Sequence, residues 1–309
     1  MPVHVVNGKH DGPVLFLSAA IHGDELNGIE IVRRVVNSRI TGRLRGTLIA
    51  VPIVNVLGVV HQSRYLPDRR DLNRSFPGSP TGSLAARMAH LFMNEVVERS
   101  THGIDLHTGA LHRDNLPQVR GKLGNRKVKK MAEAFGAPVV LDSAIRDGSL
   151  RDAATERGIP VLLYEAGEAL RFNEAAIRIG VSGVFNVMRD LGMLPPRKRK
   201  PSKPFVARSS TWIRAPVSGV FRATTALGAE VTKGQRLGVL SDPFGAEEVP
   251  VQATAKGIII GRSNLPLVHE GEAIYHIGRV SRPAAAAAHV EQVQDLTSQD
   301  VAGQSPPIV

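Results

Sequence analysis

The stretch Val14-Leu-Phe-Leu-Ser-Ala-Ala-Ile-His22-Gly-Asp-Glu25 decides how this chain is read. Its first seven residues, Val14 to Ala20, form an apolar run bounded by Gly12-Pro13 and by His22-Gly23, which predicts a buried strand ending in a tight turn. Leu26, Ile29, Val32, Val35 and Val36 then recur at helical spacing, and Asp24 and Glu25 stand where acids favour a helix N-terminus. The alternation repeats outward from this unit. Residues 47–54, 103–107, 138–141 and 160–164 read as short apolar strands; residues 83–99, 125–135, 149–157 and 173–191 read as helices, and Gln62 to Pro80 as a long polar loop. Short strands alternating with helices predict an α/β fold, with a sheet covered by helices on both faces.

Beyond residue 204 the texture changes to short β-type runs punctuated by glycine, such as Gly219-Val-Phe and Gly257-Ile-Ile-Ile-Gly. Six or more such strands predict a small all-β barrel or sandwich. The expected organisation is therefore a first domain over 1–194, a linker over 195–204, a β-domain over 205–280 and a disordered tail over 281–309. The formal net charge is +11, and five of those charges fall in the linker, as Arg197, Lys198, Arg199, Lys200 and Lys203 between prolines. A proline-bracketed run cannot be a helix interior or a central strand, so it reads as an exposed connection. Only 4% of residues are aromatic, which leaves little to stack on bases, so nucleic acid is not the expected partner.

The chain contains no cysteine, which excludes disulfides, thiol nucleophiles and Cys-ligated zinc. It also has no run of about 18 apolar residues, so no membrane partner is expected, and with neither a signal segment nor cysteine a cytoplasmic setting is the default. Metal ligands must then come from His, Asp and Glu. His22 and Glu25 stand three apart at a strand-to-helix junction, and His107 in Asp105-Leu-His107-Thr-Gly stands at another strand end. All three fall at the edge where open α/β sheets place their sites, and two imidazoles with one carboxylate suit a catalytic zinc. Asp105, two residues before His107, is a candidate acceptor for its second nitrogen. Asp24 reads as a helix N-terminus acid rather than a ligand. Glu165, ending the last apolar strand in Tyr164-Glu-Ala-Gly, reads either as a general base or as a capping or salt-bridged carboxylate. The loop from Arg64 to Gly78 carries four arginines within eleven residues, the side chain that grips carboxylates bidentately.

In order, His22-Gly-Asp-Glu25, Arg64, Asp71-Leu-Asn73-Arg74-Ser-Phe-Pro-Gly, Asp105-Leu-His107-Thr-Gly and Tyr164-Glu165-Ala-Gly resemble the succinylglutamate desuccinylase/aspartoacylase family, a deacylase branch of the carboxypeptidase A-like zinc hydrolases. The resemblance spans residues 1 to about 195. It implies a mixed twisted sheet and one Zn2+ per chain held by His22, Glu25 and His107, with Glu165 as general base. It further implies that Arg64 polarises the scissile carbonyl and that Asn73 and Arg74 hold the substrate carboxylate. The expected activity is removal of a small acyl group, such as acetyl or succinyl, from an N-acyl amino acid. A carboxypeptidase-type metallopeptidase is the nearest alternative, and a nucleic-acid or membrane binding module using the basic linker is the alternative from another class. The acyl group, the amine and the oligomeric state, a homo-oligomer included, stay open. The β-region resembles lipoyl/biotinyl barrels, but its hairpin Asp242-Pro-Phe-Gly-Ala-Glu-Glu-Val has no lysine to carry a cofactor, which makes it a structural or pocket-lining module. Two departures stand out: Asn55-Val-Leu-Gly58 where the family commonly has Asn-Pro before Gly, and a start almost at the first strand.

Overall fold

The computed structural model describes residues 1–197 and 202–299. The apolar run that opened the reading forms β2 (Val14–Ala19), and β3 (Thr47–Val51) and β4 (His102–His107) lie parallel on either side of it. A short antiparallel strand, β1 (His4–Asn7), edges β3. On the other side β7 (Val161–Gly167) runs parallel to β4, with His107 directly opposite Glu165 in register. The sheet then turns mixed. β5 (Arg113–Gly121) pairs antiparallel with β7, and β6 (Val139–Asp142) lies parallel to β5.

Helices cover both faces, as the alternation predicts. On one face α1 (Asn27–Val36), α4 (Arg126–Phe135) and α6 (Glu174–Asp190) bury Ile31, Val35, Met131, Phe135 and Val184 against Leu15, Leu17 and Leu162. On the other, α3 (Leu84–Phe92), which continues through a wider turn to Val97, and α5 (Leu150–Glu156) bury Ala89, Phe92 and Ala153 against Phe16 and Val51. Phe16 and Leu17 go to opposite faces because successive strand residues alternate. A one-turn helix, α2 (Val56–Val60), follows β3, and Asn55 caps it by accepting from Gly58 N at 2.8 Å.

The β-region differs from expectation in its connection to the rest. Its strands are β8 (Phe205–Arg214), β9 (Gly219–Ala223), β10 (Glu230–Val231), β11 (Arg236–Ser241), β12 (Glu248–Gln252), β13 (Gly257–Ser263), β14 (Leu267–Val268) and β15 (Ala273–Val280). Four of them, in the order β12-β11-β9-β14, form a separate sheet, but β8, β15, β13 and β10 continue the main one. β8 pairs with β6, β15 with β8, β13 with β15, and β13 then returns to pair with β5. The strands β5, β6, β8, β15 and β13 thus close into a barrel-like ring shared by both halves of the chain. Gly261 sits at the closing contact, where a Cβ would come within 2.7 Å of Asn115 Oδ1.

The tail departs from the sequence reading as well. Residues 283–299, expected to be disordered, form a helix, α7 (Pro283–Gln299), while residues 300–309 lie outside the described residues. Its alanine run has high helix propensity, and Ala286 and Val290 are buried with Leu116, Ile258 and Ile260 of the ring. In the expected linker, Lys198 to Pro201 lie outside the described residues. Among those described, no helix is long and apolar enough to cross a membrane.

Candidate active site

The site assembles at the carboxyl ends of β2, β4 and β7. β2 is followed by Ala20, whose φ of 51° turns the chain, and the backbone then presents His22 and Glu25 before the helix begins. Gly23 between them passes so close to the start of α2 that a Cβ would sit 2.0 Å from the Gly58 carbonyl carbon. The helix α1 has its N-cap at Leu26, so Asp24 and Glu25 precede it instead of occupying its first turn. Asp24 is buried and its Oδ1 has no hydrogen-bond partner, which corrects its expected helix-terminus role.

Glu25 is the hub. Its Oε1 lies 2.8 Å from His22 Nδ1 and its Oε2 lies 2.6 Å from His107 Nδ1, and Oε2 also accepts from the Thr108 backbone N–H at 3.1 Å. Burial opposes charge on Glu25, but the two imidazoles hold its carboxyl well below the usual range. Each imidazole in turn is raised above its ordinary value, against burial, by the carboxylates around it. The second nitrogens are held too: His22 Nε2 lies 3.1 Å from Asp71 Oδ1, and His107 Nε2 lies 2.7 Å from Asp105 Oδ2. Asp105 is wholly buried and accepts from Ser18 Oγ on the neighbouring strand at 2.7 Å.

This donor set fits a divalent cation. Ligand atoms of His22, Glu25 and His107 all lie within 4.8 Å of one another, and it is the one such cluster among the described residues. Three carboxylates, Glu25, Asp71 and Asp105, surround two imidazoles and the Arg64 guanidinium, an acid excess that a dication would balance. Carboxylates on the far nitrogens fix the tautomers that leave both Nδ1 atoms free to ligate.

The remaining expected residues border the same cleft, of about 290 Å³: Arg64, Asn73, Arg74 and Glu165. Arg64 bridges Glu25 Oε1 at 3.3 Å and Asp71 Oδ2 at 3.2 Å, and these acids keep it firmly protonated despite burial. Its loop packs on the domain through Leu66, Leu72 and Phe76, as its mixture of apolar and polar residues suggests. Asn73 Oδ1 accepts from Leu150 N at 2.9 Å, which leaves its amide N–H groups toward the cleft. Glu165 Oε2 lies 2.5 Å from Arg120 Nε, a close ion pair without the alignment of a hydrogen bond.

Among the lining residues not singled out from sequence are Arg113, Asn115, Arg120, Arg146, Arg151 and Trp212. The first three lie on β5, an element missed because Pro117 interrupts its alternation. Trp212 reaches the cleft from β8. It stacks on His276 of β15 with centroids 4.1 Å apart and planes at 8°, and Arg113 lies 4.9 Å over its ring. Burial, with Arg120 and Arg113 nearby, lowers His276 to about 3, so it stacks as a neutral ring. The β-region therefore contributes a wall of the pocket.

The sequence profile of the succinylglutamate desuccinylase/aspartoacylase catalytic domain matches residues 11–191, more than half of the chain. The chain belongs to the succinylglutamate desuccinylase/aspartoacylase family. Among curated members of this desuccinylase/aspartoacylase group, it is 29% identical over 294 residues to the N-alpha-acetyl-L-2,4-diaminobutyric acid deacetylase of Halomonas elongata, covering 91% of this chain and 86% of that one. Among solved structures, the product-bound ectoine utilization protein EutE (DoeB) from Ruegeria pomeroyi superposes with a TM-score of 0.82 at 25% identity, over 90% of this chain and 88% of that one. A succinylglutamate desuccinylase/aspartoacylase from Rhodobacter sphaeroides gives 0.80 at 25% identity, over 90% and 89%. Because these matches cover both halves of the chain, the family fold here includes the β-region.

Proposed function

We propose that this protein is a zinc-dependent amidohydrolase that removes a small acyl group from an N-acyl amino acid. The observation that carries the reading is the meeting of His22, Glu25, His107, Arg64, Asn73, Arg74 and Glu165 around one cleft sized for a small molecule. The deacetylase activity named for the Halomonas elongata relative supports it.

His22, Glu25 and His107 would hold the metal through their facing atoms. A divalent ion there lowers the pKa of water and polarises an acyl carbonyl. Glu165, one strand over from His107, takes the proton from the attacking water and returns it to the departing amine. Arg64, anchored by Glu25 and Asp71, offers its guanidinium to the carbonyl oxygen as negative charge develops there. Arg74 at the mouth of the cleft pairs with the substrate carboxylate, and Asn73 adds its amide donors. The enclosing wall at Trp212 suits a small amide better than the length of a peptide.

The test is a panel of N-acetyl amino acids against blocked dipeptides, with metal content measured in parallel. Hydrolysis of the former and about 100-fold or greater loss of kcat in Glu165→Gln with metal retained is expected. Preference for the dipeptides would overturn the acyl-amino-acid reading, and full activity of Glu165→Gln would overturn its role as base.

A further inference from the structure

Glu165 is held by one of its two oxygens. Its Oε2 lies 2.5 Å from Arg120 Nε and is sealed from solvent, whereas Oε1 has no partner among the described residues and is open to the cleft that Glu165 lines. A carboxylate pinned at one oxygen presents the other in a fixed direction, which is what proton transfer to and from a small bound molecule requires. Among the described residues no other cation stands at ion-pair distance from Glu165. Arg151 feels its charge, but Arg120 repels Arg151, whose guanidinium donates to Ser143 Oγ at 3.3 Å instead.

The pairing follows from sheet register. Glu165 faces Gln118 directly across the antiparallel β7–β5 ladder, and Arg120, two residues along, shares that face and reaches Glu165 diagonally. What fixes Arg120 is therefore what fixes β5. Along its other edge β5 pairs with β13 through residues 113–115 and with β6 through residues 118–121. Gln118, wholly buried, adds a side-chain tie: its Nε2 donates to the Ile260 carbonyl of β13 at 3.1 Å and to the Leu116 carbonyl of its own strand at 3.2 Å. The strand position opposite Glu165 is thus fastened to the β-region by backbone and side chain together.

His276 of β15 completes the surroundings. Its ring is neutral and stacked on Trp212, so it occupies the neighbourhood of Arg120 and Arg113 without adding a third like charge that would push Arg120 off Glu165.

Resting on the deacylase reading and on Glu165 as its base, we infer that Arg120 is a positioning residue for Glu165 and that the β-region fixes Arg120 in place through β13. The closure of β13 on β5 then bears on proton transfer as well as on the shape of the pocket.

The experiment has two readouts. The first is steady-state hydrolysis of the best-cleaved N-acetyl amino acid by the zinc-loaded full chain, with metal content measured for every variant. Arg120→Gln should lower kcat by about 10- to 100-fold, the worth of one charge-assisted pair, with KM within about threefold of wild type. Arg120→Lys, which keeps the charge on a different donor, should return kcat to within about 10-fold of wild type. Gln118→Met removes the donor to Ile260 at a residue that does not line the cleft, and should lower kcat by about fivefold, the worth of one neutral hydrogen bond. Arg120→Met serves where Arg120→Gln does not fold. A change confined to KM makes Arg120 a substrate-binding group and overturns the inference, as does an unchanged kcat; full kcat in Gln118→Met overturns the part assigned to the β-region.

The second readout needs neither activity nor metal. The metal-free full chain is treated with a water-soluble carbodiimide and an amine, and labelling at Glu165 is followed by peptide mass spectrometry against the exposed Glu156. Uncovering Oε2 in Arg120→Gln or Arg120→Met should speed labelling at Glu165 by about 10-fold while Glu156 is unchanged. Equal rates overturn the inference whatever the kinetics show. If no N-acyl amino acid is hydrolysed, the deacylase reading falls, and the labelling alone decides whether Arg120 holds Glu165.

Discussion

Replacing Asp105 by asparagine tests the link between the sheet and the candidate metal centre. Asp105 is wholly buried and bonds His107 Nε2 at 2.7 Å and Ser18 Oγ at 2.7 Å. An amide of the same shape retains one acceptor for these two neighbours but loses the charge that sharpens the bond to the imidazole. A charge-assisted bond contributes about 1.5–3 kcal/mol and a neutral one about 1, so roughly 1–2 kcal/mol of support for His107 disappears. Partners of this kind typically change metal affinity by about 10- to 100-fold, the lower part of which matches that energy. The expected result is a zinc dissociation constant raised by about 10-fold or more, measured by competition with a chromogenic chelator. The pH dependence has a definite sign. His107 is raised well above its ordinary value by Asp105 and Glu25 despite burial, so protons compete with the metal more strongly as pH falls. Removing the Asp105 charge weakens that competition, so the loss in affinity should be larger at alkaline than at neutral pH. Wild-type affinity at both pH values in Asp105→Asn and in Asp105→Ala would refute the argument.

Two further outcomes follow from contacts other than those of the candidate ligands. Glu174 accepts from Arg34 at 2.7 and 2.8 Å and from Arg178 at 2.7 Å, tying α6 to α1, and these arginines lower its carboxyl to about 2. Because the folded value lies below the unfolded one, its stabilisation is present above about pH 4.5 and is lost as pH falls toward 2. The side chain is 37% exposed, so screening limits the effect to about 0.5–1 kcal/mol. Urea unfolding of Glu174→Gln should show that deficit at pH 7 and a shrinking one below pH 4.5; a constant deficit would contradict it. Trp212→Ala removes the stack on His276 and the contact with Arg113, together about 1–2 kcal/mol of wall structure. KM for the best N-acyl amino acid should rise by about 5- to 30-fold with a smaller change in kcat, and an unchanged KM would remove the β-region from the pocket.

The candidate metal ligands were legible because each sits in a local signal that also decides backbone direction. His22 and Glu25 flank a turn imposed by a buried strand, and His107 shares strand parity with Asp105, so spacing alone placed them on one edge. The loop from Arg64 to Gly78 was legible as packed because Leu66, Leu72 and Phe76 break its polarity. Arg120 and Asn115 were not, since β5 carries a proline and runs antiparallel to its neighbour, outside the strand–helix rhythm. The tail helix was not legible for a different reason: Ala284 to Ala288 has high propensity but no apolar periodicity, and the residues buried against the ring are Ala286 and Val290.

What the sequence by itself determined is whatever depends on near neighbours: a strand that must end at a turn, a candidate ligand pair three residues apart, the exclusion of thiolate chemistry, and the family those motifs mark. What only the tertiary structure decided depends on pairing between distant strands. β8 pairs with β6, which makes one continuous sheet of what composition divides, and β13 closes on β5 through residues 261–263 and 113–115. This pairing also brings Trp212 to a cleft whose candidate metal ligands end about a hundred residues earlier, and it sets Arg113 beside that ring. Strand pairing is made by backbone hydrogen bonds that carry little residue identity, so neither spacing nor composition encodes which distant strands will meet.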